Sequence, residues 1–362
     1  MQNHLPIAPI PRAYLLDILR GVAALSVVFW HWQHFFYIGP NPSSFDPTAQ
    51  PFFSSFSLLY GHGGLAVQLF FSISGFVFFW FYAKRVKTGE IGVKRFFQDR
   101  FSRLYPLHLV TFAAVALLQA TYLESNESYF VYQANNAYHA LLNIFLVPAW
   151  GFESGWSFNA PIWSVSIEVL MYASFFLICQ TGRAFLPLAA CGAIIGWFLY
   201  PDSYKLGSGL LCFYLGGISY VLYESCRTRL SINTSLLANI TLCLIVWLIL
   251  AASSNANDYI AICLCFPLTL STLFAINQKW PHLGRQVAFV GDISYSSYLL
   301  HFPLQIVFAL FLDYLGFPRT IFYHPLAIII FFVVLLPISL ASYHFLERPA
   351  QTFLRTSSFF KR

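Results

Sequence analysis

Charge is what this sequence lacks most. Asp, Glu, Lys and Arg make up 9% of its 362 residues, against about 25% in a soluble globular domain. A chain so poor in charge cannot cover a water-facing surface, which excludes an ordinary soluble domain. The net charge of +6 is small and scattered, which argues against a basic nucleic-acid face. The seven cysteines lie in or beside apolar runs. They form no CxxC pair and no Cys/His ligand spacing, so neither a disulfide framework nor a metal site is expected. The first residues, MQNHLPIAPIPRAYLLD, lack a basic leader region and a small-residue cleavage site. The first apolar run is therefore expected to remain as a membrane span. No internal repeat is visible, so the inverted-repeat signature of many transporters is missing too.

What is present is apolar: 58% of the residues are hydrophobic. Stretches of about 17–25 apolar residues suit a bilayer core roughly 30 Å thick. Ten occur, centred on about 15–37, 63–83, 104–123, 160–180, 184–200, 206–223, 232–252, 259–277, 288–313 and 324–345. The expected fold is all-α: a polytopic membrane protein with about ten transmembrane helices in one bundle and a single domain over 1–362. Seventeen of the 20 basic residues fall on one side of this arrangement, Lys205 and Arg319 on the other, and Arg20 inside a span. The positive-inside rule then places both termini in the cytoplasm. The loop at 124–159 contains no lysine or arginine and is expected to be external, its aromatic residues packing at the interface.

Arg20 and His31 lie within the first apolar run, AYLLDILRGVAALSVVFWHWQHFFYI, eleven residues apart. On a continuous helix that spacing places both on one face, about 16 Å apart along the axis. Intramembrane ionisable groups are expensive and are functional candidates by default. Asp17 can pair with Arg20, and a neutral imidazole can act as a general base. The alternative is a structural ion pair and an interfacial histidine. His34 is expected about 60° round the same helix, among the same interfacial aromatic neighbours, which makes it a control for His31.

Other segments are chemically suggestive. GHGGLAVQLFFSISGFVFF, at 61–79, carries small residues that read first as close helix packing and second as a site at Ser74. Arg100 and Arg103, in VKRFFQDRFSRLYP, share a helical face and can grip phosphates, although composition alone favours a topology signal. Glu168 follows Pro161 in APIWSVSIEVLMYASFF and needs a partner or water. GDISYSSYLLHFPL, holding Asp292, Tyr298 and His301, is unusually polar for a span, and SYHFLERP closes the last one.

Taken together, six segments resemble the integral-membrane acyltransferase-3 family. They are Arg20 with His31, GGLAVQLFFSISGF (63–76), RFSRLYP (100–106), WSVSIE (163–168), ISYSSYLLH (293–301) and FLERP (345–349). The resemblance implies an O-acyltransferase that moves a small acyl group, acetyl foremost, from cytoplasmic acyl-CoA to a hydroxyl of a carbohydrate or glycolipid. It implies that His31 is the essential histidine, Arg20 its paired arginine, and Arg100 and Arg103 the basic motif near the coenzyme entrance. His31 would be the base or an acyl carrier, Arg20 would meet developing negative charge, and Glu168 would be a polar partner in the cavity. Some members carry a further hydrolase-like domain. None is expected after the last span, so transfer would finish in the membrane domain or at a separate partner. The expected setting is the cell membrane, multi-pass, and the inner membrane in a Gram-negative source. The competing reading is a proton-coupled transporter using His31, Glu168 and Asp292. A membrane acyltransferase of another family would move the catalytic histidine, for example to His301.

Overall fold

The computed structural model describes residues 12–253 and 258–356. The expected termini, with Lys361 and Arg362, lie outside those residues. Among the described residues, ten helices are long and apolar enough to cross a membrane: Tyr14–Phe36, Phe53–Lys87, Val93–Asn126, Ala160–Cys179, Gly182–Leu199, Tyr204–Arg227, Ile232–Ala252, Asp258–Lys279, Ser294–Tyr314 and Pro325–Thr356. Each overlaps one expected stretch. The protein is thus an all-α membrane protein; its only described strands are the two-residue pair Tyr37–Ile38 and Asn41–Pro42.

The ends differ from expectation where a helix continues beyond the expected apolar stretch. The second span starts at Phe53, because Phe53–His62 is already helical and joins the next segment through a 3-10 turn at Gly63–Leu65. The third starts at Val93 and carries the basic run out of the apolar zone; Pro106 lies inside it without ending it. Proline removes one backbone donor, a loss that neighbouring helices can compensate in a membrane bundle. The tenth continues through a π-turn at Tyr343–Glu347 into Arg348–Thr356, where Arg355 pairs with Asp99 of the third at 3.0 Å.

Close packing follows the small residues. The second and sixth spans meet where a Cβ on Gly75 would strike the Phe213 carbonyl. The glycine segment thus serves helix packing, the first of the two readings it allowed. The seventh span is peripheral: 11% of its most apolar window is buried, leaving Leu237, Leu244 and Leu248 exposed for lipid. The lysine-free loop packs onto the bundle through buried Phe130, Val131, Leu146 and Phe158 and contains the short helix Ala137–Ile144. Its backbone is held by the third span, where Gln119 bonds both the N–H and the carbonyl of Phe130 at 2.8 and 2.9 Å.

Candidate functional site

Three cavities follow one another from the basic end of the bundle to the end carrying the aromatic loop. The first, a mouth of about 260 Å³, is lined by Arg12, Asp17, Arg20, Arg103, Asp292, Tyr295, Glu347 and Arg348. The second is a narrow middle cavity of about 110 Å³ that includes Arg20, Ser74, Arg100, Arg103, Glu168, Tyr295 and Tyr298. The third is an outer cavity of about 860 Å³ that includes Trp30, His31, His34, Tyr132, Trp156, Tyr204 and Tyr298. Of the five residues singled out in the sequence, Arg20, Arg100, Arg103 and Glu168 share the middle cavity. His31 faces the outer one.

Arg20 is built into the wall. Its Nη2 contacts Asp17 Oδ1 at 3.1 Å and donates to the Gly291 carbonyl at 2.9 Å, while Nε donates to Ser294 Oγ at 3.0 Å. The first span and the segment Phe289–Asp292 must touch for this to happen. They can because Gly21 and Gly291 face each other's chain: a Cβ on Gly21 would meet the Val290 carbonyl, and one on Gly291 the Asp17 carbonyl. Arg12 closes the cluster, reaching Asp17 at 2.7 Å and Asp292 at 2.5 Å. Burial opposes the charge on Arg12, yet the bonds and charges of both carboxylates raise its pKa above the ordinary arginine value. The ion pair expected between Asp17 and Arg20 is therefore present, within a larger network.

The two arginines of the basic motif have different surroundings. Arg100 donates to the Tyr82 hydroxyl and stacks its guanidinium near the rings of Tyr82 (4.8 Å) and Phe78 (5.5 Å). Arg103 lines both the mouth and the middle cavity. Among the described residues no side-chain hydrogen bond or ion pair engages it. A cation left open to a cavity fits an anionic ligand better than one already stacked on aromatic rings. Glu168 accepts a hydrogen bond from Ser74 Oγ at 2.7 Å, so the serine of the glycine segment is the carboxylate's donor.

His31 departs from the helical expectation. The α-helix ends at Trp30, and His31–Phe36 is a 3-10 turn. Residues three apart eclipse in a 3-10 helix, so His34 is not 60° away from His31. Their rings stack with centroids 4.5 Å apart. His34 is also buried, bonding Gln305 Oε1 at 3.1 Å, and Gln305 Nε2 donates to the His31 carbonyl at 2.8 Å. His34 is part of the site's frame and cannot serve as a control for His31.

The partner of His31 comes from the ninth span. His31 Nδ1 lies 2.8 Å from His301 Nε2, and His301 Nδ1 lies 2.6 Å from the Tyr298 carbonyl. A carbonyl only accepts, so His301 Nδ1 carries its proton. In neutral His301, Nε2 must then accept, so His31 donates from Nδ1. That assignment leaves the lone pair of His31 on Nε2. Among the described residues no hydrogen bond engages that atom, and His31 borders the outer cavity. By sequence His31 and His301 are alternatives; the fold makes them one unit. The polar run ISYSSYLLH was the available signal, but nothing in it showed which residue it faced.

The outer cavity is largely aromatic. Lys205 pairs with Glu153 and sits 3.5 Å from the Trp156 ring centroid. Burial, then the neighbouring Tyr298 and Tyr37, push the Tyr132 phenol far above its ordinary value, so it stays a neutral hydroxyl. The three groups of the transporter reading do not form one string. Asp292 borders the mouth beside Arg12, Glu168 the middle cavity, and His31 the outer one.

The acyltransferase-3 family, described as an acyltransferase domain, matches residues 14–344. "Protein 2 in picA locus" of Rhizobium radiobacter is 38% identical over 109 residues, 30% of this chain and 47% of that protein. The chain therefore spans about half the length of that relative. A protein of Acidianus two-tailed virus, named as a proposed acetyltransferase (ORF330), is 26% identical over 304 residues, 79% of this chain and 82% of its own. Acyltransferase MdmB of Streptomyces mycarofaciens is 34% identical over 116 residues, 31% of this chain and 27% of its own. No solved structure matches significantly. The match takes in the first nine spans and the tenth as far as His344, so that of the cavity-lining residues it leaves out Arg12 and those in the final turns of the tenth span, and the chain belongs to the acyltransferase-3 family.

Proposed function

We propose that this chain is a multi-pass cell-membrane O-acyltransferase whose single domain moves a small acyl group, acetyl foremost, from acyl-CoA to a hydroxyl of a saccharide or glycolipid. In this reading the basic end and both termini are cytoplasmic, acyl-CoA is the substrate at the mouth, and the acceptor occupies the outer cavity. The observation that carries it is the oriented pair His31–His301, which leaves a basic nitrogen beside a large aromatic cavity.

His31 Nε2 takes the proton of the acceptor hydroxyl as its oxygen bonds to the thioester carbonyl carbon. The C–S bond then breaks, the ester forms, and His31 returns the proton to the leaving thiolate. His301 holds His31 in the tautomer that can do this and accepts from the imidazolium that forms. Arg103, open to mouth and middle cavity, suits the donor's phosphates, with Arg100 beside it. Arg20, fixed by Asp17, Ser294 and Gly291, supplies a preorganised positive charge along the donor's path. Glu168, bonded to Ser74, is a polar partner in the middle cavity. Trp156 and Tyr132 offer flat faces and a hydroxyl to a sugar ring.

The test is mass spectrometry of surface glycans and glycolipids from cells with and without the chain. The expected difference is one acyl unit on one glycan species, lost in His31→Ala. Identical glycans, together with substrate flux and no acyl product, would return the transporter reading.

A further inference from the structure

The proposed reaction needs a donor from one end and an acceptor from the other, yet the residues assigned to each line different cavities. Among the described residues, Tyr298 alone borders both the middle and the outer cavity. The residue is 5% exposed. Its hydroxyl donates to the Pro161 carbonyl at 2.8 Å and shares a 2.9 Å hydrogen bond with Ser164 Oγ, so both hydroxyl roles are satisfied. Its ring meets that of Phe70 edge to face, 5.7 Å between centroids. Asn159 Nδ2 also donates to the carbonyl of the next residue, Leu299, at 2.9 Å, which fixes the backbone around it.

We infer that Tyr298 is the septum between the donor and acceptor halves of the site, and that the incoming acyl arm displaces its ring to reach His31. The inference rests on the proposed acyl transfer. With Tyr298 in place, water in the outer cavity cannot meet a thioester waiting in the middle one. With the ring gone, water oxygen bonds to the carbonyl carbon, the C–S bond breaks, and the water's protons end on the acid and the thiol. Hydrolysis then competes with transfer. Tyr298 is thus a positioning residue. Its backbone carbonyl also holds His301 Nδ1, so the septum and the orienting pair share one residue.

The experiment has two independent readouts on the full chain. The first is release of free thiol from acetyl-CoA by purified protein without acceptor. Tyr298→Ala is expected to raise it relative to transfer by at least about tenfold. Tyr298→Phe, which keeps the ring and loses both tethers, should fall between, since each net hydrogen bond lost shifts an opening equilibrium by roughly fivefold. An unchanged ratio of hydrolysis to transfer in Tyr298→Ala overturns the septum. The second readout needs no reaction. Val165 lines the middle cavity. An impermeant thiol reagent applied to intact cells should label Val165→Cys, read at its own peptide, only when Tyr298 is also replaced. Equal labelling in both backgrounds overturns the septum whatever the chemistry. If the parent neither transfers nor hydrolyses acetyl-CoA while the labelling contrast holds, the proposed function fails and the partition stands.

Discussion

If His301 orients His31, the two histidines should behave as one unit in kinetics. The relevant contacts are 2.8 Å from His31 Nδ1 to His301 Nε2 and 2.6 Å from His301 Nδ1 to the Tyr298 carbonyl. When His31 accepts a proton, the first bond becomes charge-assisted, and such bonds contribute about 1.5–3 kcal/mol. At about 1.4 kcal/mol per factor of ten, His301→Ala should slow acyl transfer by about 10–150-fold. His31→Ala removes the base itself and should cost about 10²–10⁴-fold. Because His301 acts only through His31, the double variant should be no slower than His31→Ala alone. His301→Gln, whose side-chain oxygen can accept from His31 Nδ1, should recover part of the loss. The assay is steady-state turnover in purified membranes, with the donor KM measured in parallel and expected to stay near that of the parent. His62, exposed on the second span, is the proper control in place of His34, which stacks on His31. The parent rate should fall as pH is lowered, since a protonated imidazole has no lone pair on Nε2. Multiplicative losses in the double variant, or normal turnover in His301→Ala, would refute the orienting pair. Normal turnover in His31→Ala would falsify the base assignment altogether.

Arg103→Ala should raise the donor KM more than the acceptor KM, and added salt should weaken donor binding at the open mouth; an unchanged donor KM returns Arg103 to a topology signal. Arg100→Ala removes a guanidinium stacked on Phe78 and Tyr82, so thermal stability should fall as well as affinity; a KM effect alone would contradict that packing role. Gly291→Ala places a methyl group against the Asp17 backbone. Overpacking of this kind costs about 1–3 kcal/mol, seen as a lower melting temperature together with a loss of the Arg20-dependent rate. In intact cells, an impermeant reagent should label Ser125→Cys and spare Thr88→Cys; the reverse pattern would remove the cytoplasmic donor site.

Fold class was legible because a bilayer leaves little choice. Every backbone polar group must be satisfied within the segment, so apolar length alone located the ten spans, from Tyr14–Phe36 to Pro325–Thr356. Span ends were less legible at Phe53, where a short helix joins the span through a 3-10 turn, and at Val93, where the basic run prolongs the helix beyond the core. Local pairs were legible too: Asp17 with Arg20 is three residues apart and needs only helical spacing. What lay beyond the sequence was everything set by contact between distant spans. His31 and His301 are separated by 270 positions, and no local pattern specifies which faces of the first and ninth spans meet. That choice depends on glycines at 21 and 291 allowing two backbones to touch. The same limit hid the separate surroundings of Arg100 and Arg103, equivalent by spacing but divided by the position of Tyr82. It also hid the eclipsing of His31 with His34, decided by a 3-10 turn where the first span meets the outer loop. Periodicity and the bilayer determine which segments cross and which residues are costly to bury. Only the packed structure decides which of those residues face one another, because that depends on shape complementarity summed over helices far apart in the chain.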